Sequence, residues 1–422
     1  MFSALARLSF LGAPFKRRSC ATLTIICVSL ASVVGPVGSA QAAQGPAGVT
    51  SPSWLLLDGD SGQVLAEHNA NDRRSIASLT KLMTTLVIYR AIEAGRLHWD
   101  QQITIPQQVM QLGSDTSRMF VRPNTQVSVD TLTHGLIIVS ANDAAISLAI
   151  AEAGNLDNFV QQMNDTAQSL GMHDTHFENV DGLTQQGHYS TAHDLSILAQ
   201  TVAEEFPDYM KISSLPDFRF GPFHGYATNA LVRSNPAIDG MKTGYTAAAG
   251  NCVIATEHRP DGSGNQRRLY AVVLGDKTHS QRFKDANTLL DYGYNNFYNV
   301  HIGSAGVPLG EFPLWKGEQS TVGVTANKDL VLSMPNDIPA NQLKGELVAD
   351  KSPLLAPVHA GDKIGAYNIS LGGHRITSGP LYASEPVEQE GILARAIDTL
   401  KLDFGGAGDK AQLPLKIHGP AL

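Results

Sequence analysis

The chain has 422 residues, of which 43% are hydrophobic, 17% charged and 7% aromatic. That balance supports two or three globular cores and excludes a disordered or fibrous polymer. A formal charge of −8 and a sequence pI near 5.9 exclude a nucleic-acid protein held by phosphate contacts.

The charge is uneven, because residues 1–42 carry Arg7, Lys16, Arg17 and Arg18 and no acid. After Arg18 comes an apolar run, Cys20–Val37, broken at Gly35-Pro36, and then Ser39-Ala40-Gln41-Ala42. A positive region, a short apolar region and an Ala-x-Ala site predict a secretory signal peptide cleaved after Ala42, and hence an exported protein. A membrane anchor is the alternative, since the run approaches ~20 residues. Thr22, Thr24, Ser29 and Ser32 weigh against it. Cleavage removes Cys20 and Cys27, leaving Cys252 without a disulfide partner. Within Asn251-Cys252-Val253-Ile254-Ala255 that cysteine reads as a small buried hydrophobe on a strand.

Residues 43–52 form a Gly/Pro/Ser-containing lead, and residues 53–299 mix strands and helices. Trp54–Leu57 and Gln63–Ala66 flank Asp58-Gly59-Asp60-Ser61-Gly62, which predicts a hairpin. The run is a poor calcium loop, with Gln63 where Gly is needed and Asn69 where Glu is needed. Apolar spacings of three and four predict helices over Leu79–Glu93, Val129–Ala153 and Asn155–Leu170. Cys252–Thr256 and Leu269–Leu274 predict strands joined by a polar loop, Arg259–Arg268. From 300 to 386, short alternating runs between Gly, Pro and Asn turns predict a small all-β domain.

Residues 387–404 predict an amphipathic helix, and 405–422 a flexible Gly-rich tail. On the helix, Ile392, Leu393, Ala396, Ile397, Leu400 and Phe404 share one arc, opposite Arg395, Asp398 and Lys401. Some thirteen residues rise only about 20 Å, so a membrane role is interfacial. The charges of Arg395 and Lys401 cancel those of Asp398 and Asp403, and a helix that caps the β domain or pairs with another protein is the equal alternative.

Three motifs carry chemistry. In Ser78-Leu79-Thr80-Lys81 the hydroxyl and the amine lie three positions apart, on one helical face. A serine hydroxyl needs a neighbouring base, and a lysine serves if desolvation or a nearby positive charge lowers its pKa. Of 14 lysines only Lys81 has a serine three residues before it. Ser140-Ala141-Asn142 offers a hydroxyl to relay a proton and an amide to hold substrate. Ser263-Gly264-Asn265 has the same pattern, and an exposed turn accounts for it. Lys242-Thr243-Gly244 occurs once, with a lysine charge for a carboxylate and a glycine for close backbone approach.

In this order, Ser-x-x-Lys, Ser-x-Asn and Lys-Thr-Gly resemble the signature of penicillin-binding proteins and class A β-lactamases. The spacings resemble the low-molecular-mass D-alanyl-D-alanine carboxypeptidases, as do Ser75–Thr84, Phe177–Leu183 and Asp239–Thr246. The resemblance implies an α+β fold: a penicillin-recognising, β-lactamase-like domain with an antiparallel sheet flanked by helices, then a small all-β domain. It implies Ser78 as nucleophile on the terminal D-Ala-D-Ala of peptidoglycan stem peptides, Lys81 as base and Ser140 as proton relay. Asn142 fixes the peptide and Lys81, Lys242 and Thr243 hold the substrate carboxylate, and the backbone N–H groups of Ser78 and Tyr245 form the oxyanion hole. β-Lactams act as inhibitors that acylate Ser78, and no cofactor or metal is implied. It also implies peripheral contact with the outer face of the inner membrane through the C-terminal helix. A D,D-endopeptidase and a catalytically weak wall scaffold are the alternatives. The chain has Ala247-Ala248 where many relatives are polar, and lacks the Glu-x-x-Leu-Asn that deacylates class A β-lactamases. His173 and His176 read as a solvated loop without a third metal ligand, and His188 and His193 share no helical face.

Overall fold

The computed structural model describes residues 45–261, 264, 266–405 and 412–417. The expected signal peptide and its cleavage site lie outside them, as do Ser263 and Asn265 of the second Ser-x-Asn.

The hairpin forms as expected, from β1 (Ser53–Asp58) and β2 (Val64–His68), closed by a 2.9 Å bond from Gly62 N–H to Asp58 O. A 3₁₀ turn over Ala77–Leu79 leads into α1 (Thr80–Glu93), and two short strands, β3 (Gln102–Thr104) and β4 (Gln126–Ser128), pair ahead of the next helix. The single helix expected over Val129–Ala153 is two, α2 (Val129–Ile138) and α3 (Asn142–Ala153). Ser140 takes φ 60°, the left-handed region, which an α-helix cannot accommodate. The Asn155 side chain caps α4 (Leu156–Ser169) by accepting from Asn158 N–H at 2.8 Å. Next come α5 (Ala192–Glu205), α6 (Pro207–Ser213) and a hairpin of β5 (Asp217–Phe220) and β6 (Phe223–Tyr226).

β7 (Ile238–Thr246), β8 (Gly250–Pro260) and β9 (Gln266–Asp276) complete an antiparallel sheet in the order β2-β1-β9-β8-β7. Successive side chains on a strand point to opposite faces. Leu55, Leu57, Ile254 and Val272 therefore pack toward α1–α5, and Leu56, Val253, Ala255 and Val273 toward α7 (His279–Asn296). Of the polar loop expected over Arg259–Arg268, residues 259–260 and 266–268 are strand, pairing Arg259 with Arg267 and His258 with Arg268. Its arginines are neutralised inside the fold, Arg267 by Asp58 and Arg268 by Asp239, so they do not demand solvent.

The second part is β, as the alternating runs predict. β10 (Phe297–Gly303) pairs with β13 (Leu330–Pro335). β11 (Pro308–Trp315), β12 (Thr321–Thr325), β14 (Leu343–Ala349), β15 (Leu354–Leu355), β16 (Lys363–Leu371) and β17 (His374–Ala383) build a second sheet around Phe312, Val322, Leu347, Ile369 and Leu381. After α8 (Ile392–Gly405), the tail expected to be flexible returns as β18 (Gln412–Leu415), antiparallel to β14. Leu415 is buried there, so apolar burial and ladder bonds offset the ordering of that segment.

The two parts meet at Arg267. Its guanidinium donates to Asp58 Oδ2 at 2.6 Å, Phe297 O at 2.8 Å and Ser333 Oγ at 2.8 Å, with neither Arg267 nor Asp58 exposed. Ser333 N–H in turn donates to Gln63 Oε1 at 2.6 Å. One buried cation therefore ties β9 and the first hairpin to β10 and β13. Arg267→Ala strands the Asp58 carboxylate in the interior, and urea unfolding should show a loss of about 3–5 kcal/mol. An unchanged unfolding midpoint would refute this role.

Candidate active site

Ser78 sits half-buried in the 3₁₀ turn, directly after Ala77, whose φ of 48° is strained for a side chain with a Cβ. Such a conformation costs roughly 1–3 kcal/mol and persists only where its surroundings fix it. Two glycines do so. A Cβ on Gly182 (φ 84°) would collide with the Ala77 carbonyl, and one on Gly244 would lie 2.8 Å from Ile76 O and 3.0 Å from Ser78 N. Both segments can close on Ser78 only because these positions lack side chains.

Lys81 enters from α1, a helix buried at every position from Thr80 to Tyr89. Its Nζ lies 2.7 Å from Ser78 Oγ and 2.6 Å from the Asp181 carbonyl oxygen. Burial pushes the amine down to about 8, against a smaller upward pull from Asp181 and Asp143. A neutral amine that donates to Asp181 O keeps its lone pair for the Ser78 proton across the same 2.7 Å.

Ser140 stands in the break between α2 and α3, and its Oγ accepts from Lys242 Nζ at 2.8 Å. Lys242 is fully buried and also donates to Thr243 O at 3.0 Å. Burial, with Lys81 and Arg282 nearby, holds its amine well below the usual lysine value. The Ser-x-Asn and Lys-Thr-Gly motifs therefore touch directly. Asn142 opens α3, its N–H donating to Ser117 O at 2.8 Å. The expected contact between Asn142 and Lys81 is not made among the described residues. The Asp181 carbonyl occupies the amine instead. Beside it, the buried Asp143 carboxylate accepts the N–H groups of Met119 and Val121, each at 3.1 Å, fastening the 117–121 segment to the site.

Lys242 and Thr243 are buried on β7, and Tyr245 is 65% exposed at its end. β7 is the edge strand of the sheet, the position at which an extended peptide can add; Met241 O and Thr243 O on it already accept from Tyr209 and Lys242. Arg282 braces this strand from α7, donating to Gly244 O at 3.0 Å and Cys252 O at 3.3 Å. Cys252 is buried on β8 as expected, and burial raises its thiol to about 11.

Several working groups escape motif reading. Asp181 acts through its carbonyl, Gly182 through a missing side chain, and Arg282 from a distant helix with no local pattern. Phe177–Leu183 matched the family, and that was the sole signal for the first two. A separate cleft of 1140 Å³, lined by Asp60, His258, Arg268, His301 and Tyr367, contains no motif residue.

Comparison with known proteins agrees with this geometry. A family model described as D-alanyl-D-alanine carboxypeptidase matches residues 39–278, and one described as Penicillin-binding protein 5, C-terminal domain, matches 297–389. D-alanyl-D-alanine carboxypeptidase DacA of Escherichia coli (strain K12) is 33% identical over 361 residues, covering 84% of this chain and 88% of that protein. DacC of the same strain is 34% identical over 361 residues, covering 84% and 89%. The crystal structure of penicillin binding protein 5 from Haemophilus influenzae superposes with a TM-score of 0.76 at 32% identity, over 82% of this chain and 99% of that one. A serine and a buried lysine in contact, on a fold and sequence matched along most of the chain, place it in the D-alanyl-D-alanine carboxypeptidase family of penicillin-binding serine hydrolases.

Proposed function

We propose that this chain removes the terminal D-alanine from peptidoglycan stem pentapeptides through an ester on Ser78. The observation that carries this is the 2.7 Å contact between Ser78 Oγ and a lysine amine whose proton affinity is lowered by burial. Ser78 Oγ bonds to the carbonyl carbon between the two D-alanines while its proton passes to Lys81 Nζ. The N–H groups of Ser78 and Tyr245 receive the oxyanion, each worth roughly 3 kcal/mol. The C–N bond breaks as Ser140, aligned by Lys242, gives its proton to the leaving amine and takes up the one held on Lys81, which returns the base to its neutral form. Asn142 positions the peptide. Lys242 and Thr243 hold the terminal carboxylate, which favours a free chain end over a cross-link. Water then cleaves the ester, and a β-lactam stalls there.

We also propose export to the periplasm, on the basic and apolar N-terminal pattern, and peripheral membrane contact through α8. Ile392, Leu393, Ile397 and Leu400 of that helix are 77%, 84%, 53% and 57% exposed, whereas Asp398 accepts from Lys316 N–H at 3.0 Å. The polar edge faces the β domain and the apolar arc faces outward, so capping and membrane contact use opposite sides. No helix among the described residues is long and apolar enough to cross a membrane.

Exported protein treated with penicillin should show the intact mass of a chain beginning at Ala43 plus one adduct, mapped to the Ser78 peptide. Ser78→Ala should abolish the adduct and D-alanine release from pentapeptide, and Lys81→Ala should slow acylation about 10²–10⁴-fold. An adduct surviving in Ser78→Ala sinks the assignment. Cleavage of cross-linked dimers to monomeric peptides at the pentapeptide rate marks an endopeptidase, and an adduct without any peptide cleavage marks a scaffold.

Because the neutral amine is the base, acylation should climb as pH rises toward about 8, where Lys81 loses its proton, and level off above it. A flat profile between pH 6 and 9 removes Lys81 from that role.

Wild-type protein should sediment with phospholipid vesicles, and Leu393→Asp with Ile397→Asp should leave it in the supernatant. If wild type also stays in the supernatant, α8 is a capping helix only.

A further inference from the structure

His188 lies outside the three motifs, 6% exposed, edge-on to Phe177 with ring centroids 5.7 Å apart. Its two nitrogens have distinct partners. Nδ1 accepts the Glu178 N–H at 3.1 Å, so the ring proton of the neutral imidazole sits on Nε2, 2.7 Å from Thr80 Oγ1. Thr80 Oγ1 donates onward to the Ala77 carbonyl oxygen at 2.8 Å. Proton direction along the chain is therefore fixed: imidazole to hydroxyl to carbonyl. Burial, with His176 nearby, pushes the imidazole down to about 4, so the ring is neutral at neutral pH.

The Ala77 carbonyl belongs to the same peptide unit as the Ser78 N–H. A hydrogen bond accepted by an amide oxygen draws electron density from the nitrogen and strengthens its N–H as a donor. The chain also pins the carbonyl of Ala77, the residue held at φ 48°, and so aims that N–H. We propose that His188, acting through Thr80, is the positioning residue that orients and polarises the Ser78 N–H of the oxyanion hole. The same ring joins the nucleophile turn to the 177–183 segment, which supplies Asp181 O to Lys81 and Val180 O to Thr84 Oγ1 at 2.6 Å. The inference rests on the reading of Ser78 N–H as an oxyanion donor, and its test separates the two.

Stopped-flow acylation of the full-length protein by penicillin gives the dissociation constant of the first complex and the acylation rate constant separately. Losing an oxyanion donor outright costs about 10²–10³ in rate, so weakening one should cost about 10-fold. His188→Ala should lower the rate constant by about that factor and leave the dissociation constant within about two-fold. Thr80→Val should do the same, and the double variant should be no slower. His188→Gln can still donate to Thr80 and should recover most of the rate. His188→Asn keeps an acceptor for Glu178 N–H, falls short of Thr80 and should stay slow. In the infrared spectrum of the penicilloyl-enzyme, the ester carbonyl band should move to higher wavenumber in His188→Ala, as its hydrogen bond weakens. Wild-type rates with an unmoved band in His188→Ala and Thr80→Val overturn the proposal. So does a loss shared equally by His188→Gln and accompanied by weaker first binding, which marks a packing role. If the wild-type band coincides with that of the unfolded acyl-enzyme, the oxyanion-hole reading itself fails.

Discussion

The buried amine of Lys81 is the constraint on which the site depends. An ammonium in a helix buried on all sides carries a large desolvation cost, and the protein meets it by lowering the proton affinity to about 8. Among the described residues, the amine is hydrogen-bonded to the Ser78 hydroxyl and the Asp181 carbonyl, neither of them charged. A carboxylate in contact would have restored the positive form and removed the base. The chemistry thus follows from withholding a counter-ion as much as from supplying a nucleophile.

That arrangement requires distant segments to converge within hydrogen-bonding distance, and backbone geometry decides whether they can. Ala77 and Ser140 both adopt positive φ, at 48° and 60°, one directly before Ser78 and the other in the break between α2 and α3. Each would relax in an isolated peptide. Gly182 and Gly244 let neighbouring backbone press on the first, and Lys242 holds the second through its hydroxyl. Strain at these two residues is maintained by the closeness of the strand and loop around them.

The support reaches beyond the site. Arg282 ties β7 to α7, and Arg267 ties β9 to the β domain, each through a guanidinium that donates to backbone carbonyls. Planar forks with several donors suit this work, since one side chain satisfies carbonyls from different elements. The β domain then carries α8 on its polar edge, leaving the apolar arc outward.

The sequence alone determined the chemistry and the order of parts. Ser78, Lys81, Ser140, Asn142, Lys242 and Thr243 were legible because three short motifs, each weak alone, stand in an order that resembles a known signature. The hairpin followed from its turn residues, and α1, α4 and the β texture from periodicity, both local properties. What tertiary structure decided was everything carried by backbone atoms or by partners far along the chain. The break at Ser140 is invisible to periodicity, because Val129–Ala153 is apolar at helical spacing throughout. Arg259–Arg268 reads as a loop until Asp58 and Asp239 neutralise its arginines from other strands. Gln412–Leu415 reads as tail until β14 offers it an edge. Asp181 works through a carbonyl that every residue type possesses, so no side-chain pattern could mark it as the group that holds Lys81.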